Sequence, residues 1–134
     1  MNQKCLLLCG HKELTRLFKF GTVDPLVVKN DRINLEQISQ YLKLGYIHNI
    51  VISPGPGTPL NSRDVGICPK VFQMFPNVPI FGVCLGFQSL CIVHGHGKIV
   101  KASEPIHGRL SKVVHSGHAL FEGIPSGFDF DVVR

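Results

Sequence analysis

The chain has 134 residues, of which 44% are hydrophobic and 17% charged, and its formal net charge is +5. Such a length accommodates one domain with a sizeable core, and the composition excludes a disordered chain. The basic residues are scattered and do not alternate with aromatics, so the charge indicates a solvated surface, or a docking face for an acidic partner, rather than nucleic-acid binding.

The number of cysteines is odd and no secretory signal is present, so we expect no disulfide framework. No apolar stretch is long enough to span a membrane, and no transit peptide precedes the first predicted strand. We therefore expect a cytoplasmic protein with no membrane partner. A plastid location is the alternative, if a transit peptide lies outside this chain.

In the first half of the chain, apolar runs alternate with segments of helical periodicity. A capping box formed by Asn34 and Gln37 predicts the start of a helix that Gly45 closes. A second helix is predicted over residues 11–20. Strands are predicted at residues 4–9, 26–29 and 47–53.

The second half begins with a loop over residues 53–59 that is too rich in proline and glycine for a helix or strand. A helix over residues 65–75 must place Pro69 early or be kinked by it. A fourth strand is predicted at residues 78–83, followed by a helix from Cys84 to about residue 93. Three further strands are predicted at residues 98–100, 110–114 and 128–133.

Alternating strands and helices predict a flavodoxin-like α/β fold, with a parallel sheet, helices on both faces and an antiparallel C-terminal addition. We expect residues 1–134 to belong to one domain. Ligands bind at the carboxyl ends of parallel strands in such sheets. The Pro-Gly loop after the third strand and the turn at Cys84 after the fourth are both predicted at that edge.

The turn at Cys84 has the sequence Gly-Val-Cys-Leu-Gly, spanning residues 82–86. A nucleophile between two glycines, where a strand meets a helix, is the elbow of Gly-x-Ser-x-Gly hydrolases. The first amides of the following helix can hold the oxyanion of a tetrahedral intermediate. A buried, inert cysteine in a core strand is the alternative, and the pentapeptide alone does not decide between them.

The loop Pro54-Gly55-Pro56-Gly57 has a use beside a cysteine nucleophile. Glycines allow a sharp turn that presents a backbone amide to a substrate carbonyl, and prolines stiffen the turn. The amides of Gly57 and Leu85 are therefore predicted to form a two-donor oxyanion hole. The alternative is an ordinary turn between a strand and a helix.

Together, the loop at residues 53–59 and the stretch Gly82-Val83-Cys84-Leu85-Gly86-Phe87-Gln88 resemble the class I (triad) glutamine amidotransferases. Within that family, the chain is similar to the glutaminase components of the chorismate-using enzymes aminodeoxychorismate synthase and anthranilate synthase. Segments at residues 49–52, 64–68 and 93–95 favour the aminodeoxychorismate branch, which leads to 4-aminobenzoate and folate. The anthranilate branch is the alternative.

The resemblance implies that Cys84 attacks the side-chain amide of glutamine and that Gly57 and Leu85 form the oxyanion hole. It also implies that Gln88, Gly55, Pro56 and Gly57 hold the substrate, and that the ammonia passes to a chorismate-using synthase subunit or fused domain. No cofactor and no metal are expected. His94-Gly95-His96 lacks companion ligands at a recognisable spacing.

Two features depart from the family pattern. The segment after the first strand, which begins Cys9-Gly10-His11, lacks the acidic helix start of the family. Members of the family also carry a His-x-Glu pair beyond the position of Arg134, and His94 is about 15 Å from Cys84 at helical rise. We therefore expect this chain alone to hydrolyse glutamine poorly or not at all, which leaves a non-catalytic binding module as an alternative. A cysteine hydrolase or isomerase on the same fold is disfavoured by the Pro-Gly loop and Gln88.

Overall fold

The computed structural model describes residues 5–9, 25–104 and 108–132. The chain divides into two compact units, Met1–Ile99 and Val100–Arg134. The expectation that all 134 residues belong to one domain stays a prediction. The helix predicted over residues 11–20 lies outside the described residues.

The described part of the first unit contains four strands and four helices, numbered here in chain order. The strands are β1 (Cys5–Cys9), β2 (Leu26–Lys29), β3 (Asn49–Ile52) and β4 (Ile80–Gly82). The helices are α1 (Leu35–Lys43), α2 (Ser62–Val65), α3 (Cys68–Met74) and α4 (Leu85–Gly95).

All four strands run parallel in one sheet, in the order β2-β1-β3-β4. The register places Leu8 beside Val28 on one side and Ile52 on the other, and Ile52 beside Gly82. This is the flavodoxin-like strand order, and it confirms the predicted parallel sheet. The segments after β3 and β4 therefore leave the sheet at the same edge.

One face of the sheet carries the core of the unit. Leu6 and Leu8 of β1 point to the same side of the sheet as Ile50 and Ile52 of β3, because alternate residues of a strand face one side. Helices α1 and α3 cover them with side chains that are almost completely buried, namely Ile38, Val71 and Phe72. Burial of each such side chain stabilises the fold by about 1.5–3 kcal/mol.

The start of α1 is the predicted capping box. The side-chain oxygen of Asn34 accepts a hydrogen bond of 2.8 Å from the backbone N–H of Gln37. The N–H of Asn34 in turn donates to Oε1 of Gln37 at 3.0 Å. After the helix ends, Gly45 has φ +68°, as expected of a residue that closes a helix.

The helix predicted over residues 65–75 is instead two short helices, α2 and α3. The break lies at Gly66, where φ is +53° and helical hydrogen bonding cannot continue. Pro69 lies in the first turn of α3, where its missing N–H has no intrahelical partner to lose. Of the two predicted alternatives, an early Pro69 or a kink, the structure has the first, but the predicted length of the helix was wrong.

The described part of the second unit contains a two-stranded antiparallel sheet of β5 (Arg109–Val113) and β6 (Phe128–Val132). A short 3₁₀ helix, Ala119–Phe121, lies between the strands. The ring of His115 stacks on Phe121, with centroids 4.6 Å apart, and its Nε2 lies 2.9 Å from the carbonyl oxygen of Ile124. These contacts organise the connection between β5 and β6.

One prediction of a strand was wrong. Residues 98–100 form no strand, although their residue types favour one, because they pair with no strand among the described residues. Within the described ranges, no helix has the length and apolarity needed to cross a membrane.

Candidate active site

Cys84 lies at the elbow between β4 and α4. Its backbone has φ +52° and ψ −108°, a conformation that non-glycine residues rarely adopt and that costs about 1–3 kcal/mol. Hydrogen bonds hold it on both sides, because the N–H of Val83 donates to the carbonyl of Ile52 at 2.9 Å and the N–H of Gln88 donates to the carbonyl of Cys84 at 2.8 Å. The half-buried thiol therefore projects from a rigid turn.

The two glycines around Cys84 are required by the close approach of backbone segments. A Cβ added at Gly82 would lie 2.6 Å from the carbonyl carbon of Gly86. A Cβ added at Gly86 would overlap the carbonyl oxygen of Ile52 in β3. The start of α4 thus packs directly on the ends of β3 and β4, and only glycine fits at both contacts.

The Pro-Gly loop follows β3 and meets the start of α4. A Cβ added at Gly55 would lie only 3.1 Å from Cδ2 of Leu85, so the loop and the elbow are in contact. Gly57 has φ +93°, which few other residues tolerate. The structure therefore brings together the two loops that the sequence predicts at one edge of the sheet.

A cavity of about 260 Å³ opens beside this contact. It is lined by the loop, by the start of α4 and by α2 and α3. Leu85, Gly86 and Ser89 of α4 contribute to its wall, whereas Cys84 does not. Ser89 is buried and its hydroxyl donates to the carbonyl of Leu85 at 2.8 Å, which anchors the first turn of the helix.

Among the backbone N–H groups that have no acceptor in the described part of the chain, one lies in the Pro-Gly loop and one at the start of α4. They belong to Gly57 and Leu85, the two residues predicted to form the oxyanion hole. Leu85 is buried, with 6% of its surface exposed, and its amide begins α4. An N–H without a partner at the start of a helix is suited to bind a developing negative charge.

Gln88 lies one helical turn beyond Cys84 and is half-buried. Its side-chain amide has no hydrogen-bond partner among the described residues, so it is available to a polar ligand. Pro56 and Gly57 are exposed, and Gly55 is half-buried. These four residues were predicted to hold the substrate.

The histidines of the described residues do not complete a catalytic pair. No hydrogen bond joins the Cys84 thiol to a histidine in the described part of the chain. His94 is exposed near the end of α4, and its ring centroid lies 6.1 Å from that of Phe72. Among the described residues, no group of three or more potential ligands could hold a metal ion.

The two other cysteines whose side chains the structure describes have different surroundings. Cys68 is buried, and desolvation raises the pKa of its thiol from 9.0 to about 11, against a smaller lowering by a backbone hydrogen bond. The thiol of Cys68 therefore stays protonated and unreactive at neutral pH. Cys91 is half-buried, like Cys84, but it lies within α4 rather than at the elbow.

Sequence reasoning did not identify Asp64. Its carboxylate accepts a hydrogen bond of 2.9 Å from the N–H of Thr58 and lies against Gly57. The only signal in the sequence is an acidic residue in the short helix after the Pro-Gly loop. That position alone does not reveal the contact, because it depends on the loop turning back onto α2.

Comparison with known families agrees with the motifs. The family described as "Glutamine amidotransferase class-I" matches residues 11–131. The chain belongs to the class I glutamine amidotransferase family.

Two relatives illustrate the range of the family. The chain is 49% identical over 115 residues to chloroplastic aminodeoxychorismate synthase of Arabidopsis thaliana, covering 84% of this chain and 12% of that protein. It is 40% identical over 137 residues to anthranilate synthase component 2 of Methanothermobacter marburgensis, covering 96% of this chain and 67% of that one. The chain thus spans about an eighth of the length of the plant relative.

The fold also has a counterpart among solved structures. A protein from Thermoplasma acidophilum, described as a GMP synthase subunit, superposes with a TM-score of 0.67. The match covers 92% of this chain and 60% of that one, at 24% sequence identity. It supports the fold alone.

Proposed function

We propose that this chain provides the glutamine-binding and nucleophilic part of a glutamine amidotransferase. The observation that carries the proposal is the elbow at Cys84, a non-glycine residue at φ +52°. The N–H of Leu85, and that of Gly57 in the loop that contacts Leu85, have no acceptors among the described residues. Membership of the class I family supports the same chemistry.

In the proposed reaction, the sulfur of Cys84 attacks the side-chain carbonyl carbon of glutamine. The S–C bond forms while the carbonyl π electrons move to oxygen, and the N–H groups of Gly57 and Leu85 hold the resulting oxyanion. When the C=O bond re-forms, the C–N bond breaks, and the nitrogen takes up the proton that the Cys84 thiol has lost, so that it leaves as ammonia. Water then hydrolyses the γ-glutamyl thioester to glutamate and restores the thiol.

The remaining predicted residues bind the substrate in this proposal. Gln88 projects its amide one turn from the nucleophile, and Gly55 and Pro56 line the approach from the loop. Loss of one oxyanion-hole donor typically lowers the rate about 10²–10³-fold. Both donors here are backbone groups, so their contribution depends on how rigidly the loop and the helix are held.

We propose that the ammonia is delivered to a chorismate-using synthase, as a partner subunit or a fused domain. The names of the relatives support this class of partner. We favour the aminodeoxychorismate branch, because identity is 49% to the plant synthase and 40% to the anthranilate component. The anthranilate branch is the second candidate, since that relative covers 96% of this chain.

For the compartment, we propose the cytoplasm. The plastid is the alternative, because two plant relatives are named as chloroplastic.

The test is covalent labelling of the full 134-residue chain with a glutamine analogue in which a chloromethyl ketone replaces the carboxamide. We expect selective modification of Cys84, identified by peptide mass spectrometry, and protection by L-glutamine but not by D-glutamine. Cys84→Ser should abolish the labelling. Cys91→Ser is the matched control, because Cys91 is also half-buried and lies on the helix that follows the elbow, and it should label like the wild type.

Modification without glutamine protection, or equal labelling of Cys84 and Cys91, would contradict the proposal. A non-catalytic binding module would then be the better description.

A further inference from the structure

Two consecutive residues of the Pro-Gly loop differ in the hydrogen bonding of their backbone N–H groups. The N–H of Thr58 is bound by the carboxylate of Asp64 at 2.9 Å. The N–H of Gly57, one residue earlier, has no acceptor among the described residues. The N–H of Thr58 is therefore used within the protein, and the N–H of Gly57 is available to a ligand.

The carboxylate of Asp64 also limits the conformation of Gly57. A Cβ added at Gly57 would overlap both Oδ2 and Cγ of Asp64, so the side chain lies directly against the Cα of the glycine. Gly57 has φ +93°, and glycine adopts positive and negative φ about equally readily unless something restrains it. Asp64 supplies that restraint from α2.

The position of Asp64 is fixed by backbone hydrogen bonds. The N–H of Asn61 donates to the carbonyl of Thr58 at 3.1 Å, and the N–H of Asp64 donates to the carbonyl of Asn61 at 3.0 Å. The side chain of Asn61 caps the helix by accepting from the N–H of Arg63 at 3.1 Å. Thr58 is thus held through its N–H and its carbonyl, by a helix that is itself capped.

We propose that Asp64 is a positioning residue that selects which loop amide faces the substrate, and this rests on the function proposed above. By binding the N–H of Thr58, the carboxylate fixes the peptide between Gly57 and Thr58. The preceding peptide then keeps the N–H of Gly57 free for the oxyanion. Without the carboxylate, rotation at Gly57 turns that donor away and leaves the N–H of Thr58 unpaired.

The test compares two electrophiles at Cys84 in the full chain. The ketone oxygen of the glutamine-like chloroketone gains negative charge when sulfur attacks its carbonyl carbon. Iodoacetamide instead loses iodide at its methylene carbon, and no charge develops on oxygen. The ratio of the two labelling rates therefore reports on the oxyanion hole and cancels changes in the exposure of Cys84.

We expect the ratio to fall about tenfold or more in Asp64→Ala, given the effect of losing an oxyanion donor. Asp64→Asn keeps an acceptor of the same shape and should stay within about threefold of the wild type. Asp31→Ala is the matched control, because Asp31 is an exposed carboxylate outside the loop, and it should leave the ratio unchanged. Amide hydrogen exchange should accelerate at Thr58 in Asp64→Ala only.

Each other outcome overturns the inference. If Asp64→Ala labels with the wild-type ratio and glutamine still protects Cys84, Asp64 does not position the donor, while the proposed function stands. If both electrophiles slow equally, Asp64 has only a structural role. If Asp64→Asn loses as much as Asp64→Ala, hydrogen-bond acceptance is not its role. If the wild type shows no glutamine-protected labelling, the proposed function is also wrong.

Discussion

Two glycines on helix α4 should respond in opposite directions to the same substitution. At Gly86, an added Cβ would overlap the carbonyl oxygen of Ile52 and lie 2.9 Å from the carbonyl carbon of Ile52. At Gly95, nothing lies within 4 Å of the added atom. Gly86→Ala therefore forces the helix off the sheet, whereas Gly95→Ala only adds a methyl group to a helical position.

The magnitude follows from how firmly Ile52 is held. Its strand is paired with β1 and β4, and its carbonyl also accepts the N–H of Val83 at 2.9 Å, so the backbone cannot withdraw without losing hydrogen bonds. Overpacking of this kind costs about 1–3 kcal/mol, and we expect the upper part of that range. At about 3 °C per kcal/mol for a domain of this size, Tm should fall by about 6–9 °C.

For Gly95→Ala, the helix propensity of alanine exceeds that of glycine by about 1 kcal/mol in a helix interior and by less at the last residue. Tm should therefore rise by about 1–3 °C. Thermal unfolding of the full chain, followed by circular dichroism at one protein concentration, measures both variants. Unchanged stability in Gly86→Ala, or equal losses in the two variants, would refute the packing argument.

Three further predictions follow from other parts of the first unit. Asn34→Ala removes the capping box of α1 and should lower the free energy of unfolding by about 1 kcal/mol in urea titrations, whereas Gln40→Ala, on the exposed face of α1, should change it little. Because burial raises the pKa of Cys68 to about 11, the folded state holds the thiol proton more tightly than the unfolded state does. The contribution of this proton to stability is fully present below about pH 9 and is lost as the pH rises towards 11. Urea titrations at about pH 8.5 and about pH 10.5 should show this loss in the wild type and a smaller one in Cys68→Ala, and equal losses would contradict it. Since Cys84 has φ +52°, Cys84→Gly should be at least as stable as Cys84→Ala, the reverse of the usual order, and a clearly lower Tm for the glycine variant would show that the turn relaxes.

The sequence predicts those features that depend on neighbouring residues. The capping box of Asn34 and Gln37 is a contact between residues three apart, so the pattern alone identifies it. Parallel strands follow from apolar runs separated by helical segments, and β2 was predicted with the bounds that the structure has. The order of the strands and their shared edge then place the two loops together.

Features that depend on distant contacts were not predicted. The break at Gly66 arises from a positive φ, which residue types alone do not reveal. Residues 98–100 have the composition of a strand but pair with no strand in the described part of the chain. The contact of Asp64 with the loop requires the three-dimensional turn of residues 57–64. In each case, tertiary contacts decide a structure for which the local sequence allows alternatives.

In the elbow at residues 82–86, the two glycines and the cysteine have different physical explanations. Gly82 and Gly86 are explained completely by backbone contacts, so they would be required even if Cys84 did nothing. Cys84 is different, because glycine would occupy φ +52° without the strain of about 1–3 kcal/mol that a side chain incurs there. A strained side chain that folding does not require is the better pointer to function. The two glycines build the turn, and the strain at Cys84 supports the proposal that its thiol is the nucleophile.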